Sequence, residues 1–261
     1  MFKSKKNLLG EYRFDTKLST EKLSRRNIVF LHIPKTGGSS FWHAFSAELN
    51  SKPELNYAVA DAHHDAITLL GSDSKALQAL NNIKNNVLNS NLSRIIVHYH
   101  MPHGNVGNVL SNVTFLVITR KPLDRLRSAF RHWRGKNPLL DMNTFFSDTV
   151  AMGVNHYLAG CLPYHVNPLN SPPAFLVEFI KKNVYFISME DYIVNSNVIK
   201  LIEKSLCISE IKNIHYDGTM TDADHNEELD DVIANNDIFS ANWQSYLDAE
   251  VMWHKVFNLD V

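Results

Sequence analysis

Four short runs of this chain are hydrophobic almost without a break: Ile28–Ile33, Arg94–Tyr99, Thr114–Thr119 and Val184–Ser188. A strand with one wet face alternates apolar and polar residues, whereas these runs leave no face for water. They are short and filled largely by β-branched and aromatic residues, which suits strands better than buried helices. They therefore read as parallel strands covered on both sides. Helical segments are expected between and after them, over Gly38–Leu49, Ser74–Leu88, Pro122–Arg134, Pro173–Lys182, Asp191–Ser205 and Asp237–Phe257. Strand and helix in alternation specify an α/β class, a doubly wound and mainly parallel sheet flanked by helices. A hydrophobic content of 44% over 261 residues is ample for the core of a single domain. Residues 1–26 are basic and polar and read as an N-terminal arm, which leaves 27–261 as the folded domain. The stretch "CLPYHVNPLNSPP", Cys161–Pro173, reads as a surface loop and not as a domain boundary.

Charge excludes one large class of function. A net charge of −1 argues against a general nucleic-acid binder, which needs a broad basic surface for phosphates. The basic residues are instead gathered, with Arg120, Lys121, Arg125, Arg127, Arg131, Arg134 and Lys136 opposed by the single acid Asp124. The acidic residues between Asp217 and Asp231 read as a solvated face and lack the spacing of a calcium loop. Two cysteines are too few for a disulfide framework, so a reduced, cytoplasmic setting is expected. No apolar run approaches the roughly 18 residues of a membrane span, and the N-terminus lacks the apolar core of a signal peptide.

The first strand runs into Pro34-Lys35-Thr36-Gly37-Gly38-Ser39-Ser40 and then into a helix. Such a loop is suited to phosphate, because backbone N–H groups of the turn and of the first helical turn point at the anion. The helix dipole adds to this. Gly37 and Gly38 would let the backbone approach closely. Ser39 and Ser40 add hydroxyl donors and are expected to cap the helix. Lys35 supplies a mobile cation. On spacing alone, an ordinary strand-to-helix turn with a surface lysine is the alternative.

The order of residues narrows the choice. A kinase or GTPase loop has its lysine after the glycines, as G-x-x-x-x-G-K-[ST], whereas Lys35 comes before them. "HIPKTGGSSF" closely resembles the 5′-phosphosulfate loop of the sulfotransferases, which use 3′-phosphoadenosine 5′-phosphosulfate (PAPS). It is most similar to the branch acting on carbohydrates, including the heparan 2-O-sulfotransferases. The second part of that family's signature is a strand ending in Arg, with a Ser eight residues later in the next helix. "FLVITRKPLDRLRSAF" carries Arg120 and Ser128 at those places. A guanidinium can bind a 3′-phosphate through two parallel hydrogen bonds, and the Ser128 hydroxyl adds a donor. Lys121 departs from the acidic or polar residue that many relatives have there.

The likeness is specific over Ile28–Leu49 and Arg94–Trp133, and looser through Val154–Gly160 and Asn183–Tyr192. It implies a P-loop-like fold with PAPS as co-substrate. Lys35, Thr36, Gly37, Gly38, Ser39 and Ser40 would surround the phosphosulfate, and Arg120 and Ser128 the 3′-phosphate.

Sulfuryl transfer to an alcohol needs a proton acceptor, and histidine, with a pKa of ~6.5, suits that role. "IIVHYHMPHG" offers His98, His100 and His103. Residues two apart on a strand share a face, so His98 and His100 are expected to project toward the same space. The resemblance selects His100 as the base, with His98 as an accessory contact to the acceptor. It implies that Lys35 offsets charge on the departing phosphate. Three histidines could instead hold zinc, but their spacing is not a strong signature and PAPS chemistry needs no metal, so none is expected. A small-molecule kinase would need a lysine after the glycines, and a non-catalytic nucleotide-binding module would need neither Lys35 nor His100. The resemblance favours a glycan hydroxyl as acceptor.

Overall fold

A computed structural model describes residues 26–61, 94–99, 112–136, 153–159, 166–189, 197–212, 229–231 and 237–259, with single positions 82, 85, 145, 234 and 235. In chain order the elements are β1 (Asn27–Leu31), α1 (Gly38–Asn50), β2 (Tyr57–Asp61), β3 (Arg94–Tyr99), β4 (Val113–Thr119) and α2 (Pro122–Lys136). They continue with α3 (Val154–Ala159), α4 (Ala174–Asn183), β5 (Val184–Ser188), α5 (Asn197–Leu206) and α6 (Asp237–Val256). The strands form one parallel sheet in the order β2-β3-β1-β4-β5. β1 is central, with Ile28 opposite Ile96 of β3 and Thr114 of β4. After β1 the chain builds one side of the sheet and then crosses to build the other. Ligands of such sheets gather at this reversal, beyond the carboxyl ends of the strands.

Both faces of the sheet are covered, which is why its strands carry so few polar residues. Val29, Leu31, Val97, Tyr99, Phe115 and Val117 face a layer containing Tyr157, Leu176, Ile180 and Trp253, from α3, α4 and α6. The alternate residues Ile28, Phe30, Ile96, Leu116 and Ile118 pack against Phe41, Trp42 and Phe45 of α1 and Ile199 and Ile202 of α5. A smaller cluster joins Leu126 and Phe130 of α2 to Trp243 and Tyr246 of α6.

The four expected strands are present, with β1 ending at Leu31 rather than Ile33. β2 is an addition. Among the described strands it lies at the sheet edge and pairs only with β3, and its Tyr57, Ala58 and Val59 are half-buried, so it lacks the unbroken apolar character of its neighbours. The six-residue α3 is also additional. Of the helices expected over Ser74–Leu88 and Asp191–Ser205, most of the first and residues 191–196 of the second lie outside the described residues. Within the expected N-terminal arm, Arg26 donates through Nη1 to Asn183 Oδ1 at 3.1 Å, tying it to the end of α4. No helix among the described residues is long and apolar enough to cross a membrane.

Candidate active site

The turn after β1 is shaped by its own backbone. The His32 N–H donates to Tyr99 O at 2.8 Å, so the β1–β3 ladder continues one residue past the strand. The chain then turns sharply, with Lys35 at φ 69° and Gly37 at φ 83°. Both lie in the left-handed region, which costs a non-glycine residue such as Lys35 ~1–2 kcal/mol. Thr36 is buried, and its hydroxyl donates to Ile33 O at 2.8 Å, bracing the turn from inside. Gly38 opens α1 with no room for a side chain, since a Cβ there would lie 2.3 Å from His32 Cδ2.

Gly37 is the N-cap of α1, and no side chain caps the helix. The expectation that Ser39 or Ser40 caps it is thereby corrected: both lie inside the first turn, past the cap position. No acidic residue occupies that turn. An uncapped helix start beside alternating left-handed residues is a concave arrangement suited to an anion.

Arg120, just past the end of β4, reaches this turn and donates from Nη1 to Lys35 O at 3.4 Å. Burial lowers the Lys35 pKa below the usual lysine range, and the neighbouring charges of Lys136, Arg120 and Arg131 lower it further. His132 is pushed down to about 4 by burial, then by Lys35 and Lys136, although its side chain is exposed and the surrounding water screens the effect. Its imidazole is therefore neutral near pH 7. Arg131, His132 and Lys136 thus join Lys35 and Arg120, and the sequence reading had not singled them out individually. Helical spacing carries that signal: Ser128, His132 and Lys136 recur every four residues along α2, and Arg131 lies three residues after Ser128.

Two arginines of the basic stretch do other work. Arg125 is fully enclosed and donates through Nε and Nη2 to the two carboxylate oxygens of Glu250 on α6, at 2.9 and 2.7 Å. Arg127 pairs with Asp230 at 3.2 Å on the surface. Ser128 is half-buried on α2.

His98 occupies the interior. Its ring is 3% exposed, and its Nε2 lies 2.9 Å from Nδ1 of His32. It stacks against Trp42 and Phe30, with centroids 4.9 and 5.4 Å away. His100 and His103 lie outside the described residues. The structure therefore brings together the Lys35–Ser40 loop and Arg120, sets His98 beneath α1, and leaves the expected base undescribed.

A family model whose description is the sulfotransferase family matches residues 23–154, half of the chain, from the end of the N-terminal arm through α2. The chain belongs to the sulfotransferase family. Among solved structures, this sulfotransferase is similar to one from Alicyclobacillus acidocaldarius. The two are 16% identical over 91% of this chain and 97% of that one, with a TM-score of 0.44, a likeness too loose to transfer roles between residues. No curated protein matches the sequence of this sulfotransferase.

Proposed function

We propose that this sulfotransferase moves the sulfuryl group of PAPS to a carbohydrate hydroxyl by in-line displacement, with His100 as the base. The observation that carries the reading is a tight turn with left-handed Lys35 and Gly37 that opens into a helix start with no side-chain cap and is met by Arg120 at Lys35 O. The residues fit PAPS: the start of α1 has no side-chain cap and no acidic residue in its first turn, and Arg120 reaches the turn from the end of β4.

Each residue then has a task. The amides of Gly37 through Ser40 hold the 5′-phosphosulfate, with Thr36 bracing them from below. Arg120 and Ser128 hold the 3′-phosphate. Lys35 Nζ offsets charge that builds on the bridging oxygen as the sulfur–oxygen bond breaks. His100 takes the proton of the attacking hydroxyl, a contribution typically of ~10²–10⁴ in rate. A glycan acceptor is supported by the likeness of "HIPKTGGSSF" and of the His98-Tyr99-His100 pattern to the carbohydrate branch.

The test is calorimetric titration of the wild type and His100→Ala with 3′-phosphoadenosine 5′-phosphate (PAP) and with AMP, followed by transfer from labelled PAPS to a glycan panel. PAP is expected to bind at least about tenfold more tightly than AMP, because charge-assisted hydrogen bonds to the 3′-phosphate contribute ~1.5–3 kcal/mol each. His100→Ala should keep that affinity and lose turnover by roughly 10²-fold. Equal affinity for the two nucleotides would remove the donor assignment, and near-normal turnover of His100→Ala would remove the base.

A further inference from the structure

His32 belongs to the turn by position, yet its ring lies inside the protein at 4% exposure, hydrogen-bonded to the equally enclosed His98. Phe30 stacks on both imidazoles, and Trp42 of α1 stacks on His98. The opposite edge of the His32 ring fills the space that a Gly38 side chain would need, with Cδ2 2.3 Å and Nε2 2.7 Å from the Cβ position. We propose that His32 and His98 act together as positioning residues for the donor-binding turn: His32 is the floor under the first residue of α1, and its hydrogen bond to His98 fixes the height of that floor. This inference rests on the donor reading of the turn and says what holds the turn in place.

The chemistry of the pair supports a definite arrangement. Two imidazole nitrogens 2.9 Å apart share one proton, since N–H groups on both would face each other. With that proton on His32 Nδ1, the lone pair of His32 Nε2 is turned toward the start of α1, the positive end of the helix dipole. The reverse tautomer would turn an N–H toward that same positive end. Of the two tautomers the 2.9 Å contact allows, this preference selects His32 as the donor and His98 as the acceptor. Removing the acceptor strands a buried N–H, and the ring relieves this only by turning. Gly38 rests directly on that ring, so the turn and its amides move with it. The effect falls on donor binding, since His98 lies below α1 and His32 touches the turn.

The experiment compares full-length wild type, His98→Leu and His98→Gln. Glutamine carries an amide oxygen near the place of Nε2 and can accept from His32, whereas leucine cannot. PAP affinity is measured by calorimetry, donor and acceptor KM and kcat by transfer assay, and Tm as a check on folding. His98→Leu is expected to weaken PAP binding and raise donor KM by roughly tenfold, while His98→Gln stays within about threefold of wild type. In both, kcat at saturating donor and the acceptor KM should be unchanged. If His98→Leu does not fold, His98→Asn serves in its place: its oxygen falls short of His32, so it should weaken PAP binding as leucine would. Unaltered PAP affinity in folded His98→Leu or His98→Asn overturns the inference, as does a loss confined to acceptor KM or kcat, which would make His98 an acceptor contact. A wild type that binds no PAP overturns the donor reading as well. A wild type that binds PAP beside indifferent variants overturns the positioning role alone.

Discussion

At Gly38 the ordinary rule for glycine in helices reverses. A helical glycine usually costs ~0.5–1 kcal/mol relative to alanine, so substituting it tends to stabilise. Here the added methyl would meet the His32 ring at 2.3 Å. That ring is enclosed by Phe30 and His98 and has nowhere to retreat. Gly38→Ala should therefore destabilise the fold by ~1–3 kcal/mol, in the range of overpacked cores. Urea denaturation would check this, and a neutral or stabilising result would mean that the histidine pair yields easily. Gly37 is restricted for a different reason: the nearest atom to its Cβ position is Met189 Cγ at an ordinary 3.6 Å, but its φ of 83° penalises any side chain.

Among the elements, α2 divides its residues between two tasks. Arg125, Leu126, Ala129 and Phe130 are buried, while Arg131, His132 and Lys136 act electrostatically on the turn or on one another. The Arg125–Glu250 pair fastens the buried side to α6. Glu250→Leu should cost ~3–5 kcal/mol, because it leaves an uncompensated guanidinium in the core. The double variant Arg125→Met with Glu250→Leu should lose much less, and chemical denaturation of all three proteins would expose the difference. Equal losses in the single and double variants would mean that the pair matters only as packing. This division was not legible in the sequence, because Arg125 and its partner are 125 residues apart and nothing local distinguishes Arg125 from Arg131. The strands β1, β3, β4 and β5 were legible, since layers on both faces of the sheet leave them near-continuous apolar runs. β2 was not, because its Tyr57, Ala58 and Val59 are only half-buried, unlike the mostly buried β5 at the opposite edge. In the site, the Pro34–Ser40 turn was readable as a contiguous motif. The seat beneath it was not, because His32 meets His98 across 66 residues and the quoted motif gave no sign of that partner.

Across the whole molecule, the site is an electrostatic assembly from separate places: the turn after β1, the end of β4 and the last turns of α2. Lys35 feels all of them, and burial together with Lys136, Arg120 and Arg131 lowers its pKa. It therefore sheds its proton at a lower pH than an ordinary lysine, and only the charged form attracts the donor. PAP affinity should fall as pH rises through that lowered value and recover as pH is brought back down. Lys35→Arg, which keeps its charge at all working pH, should flatten this alkaline decline even if its affinity at neutral pH is lower. Calorimetry across a pH series at about 0.1 M salt, where charges are screened beyond ~10 Å, would measure both slopes. Parallel declines in the two proteins would show that another group governs the alkaline limb. The central place of β1 has a consequence for synthesis as well as for binding. On the ribosome, Ile28 has no β4 neighbour until Thr114 has been made, 86 residues later. At ~5–20 residues per second that wait lasts roughly 4–17 s. Throughout it, the strand that carries the Pro34–Ser40 turn is an apolar segment with at least one open edge, a natural client for holding chaperones and a natural starting point for aggregation when they are scarce.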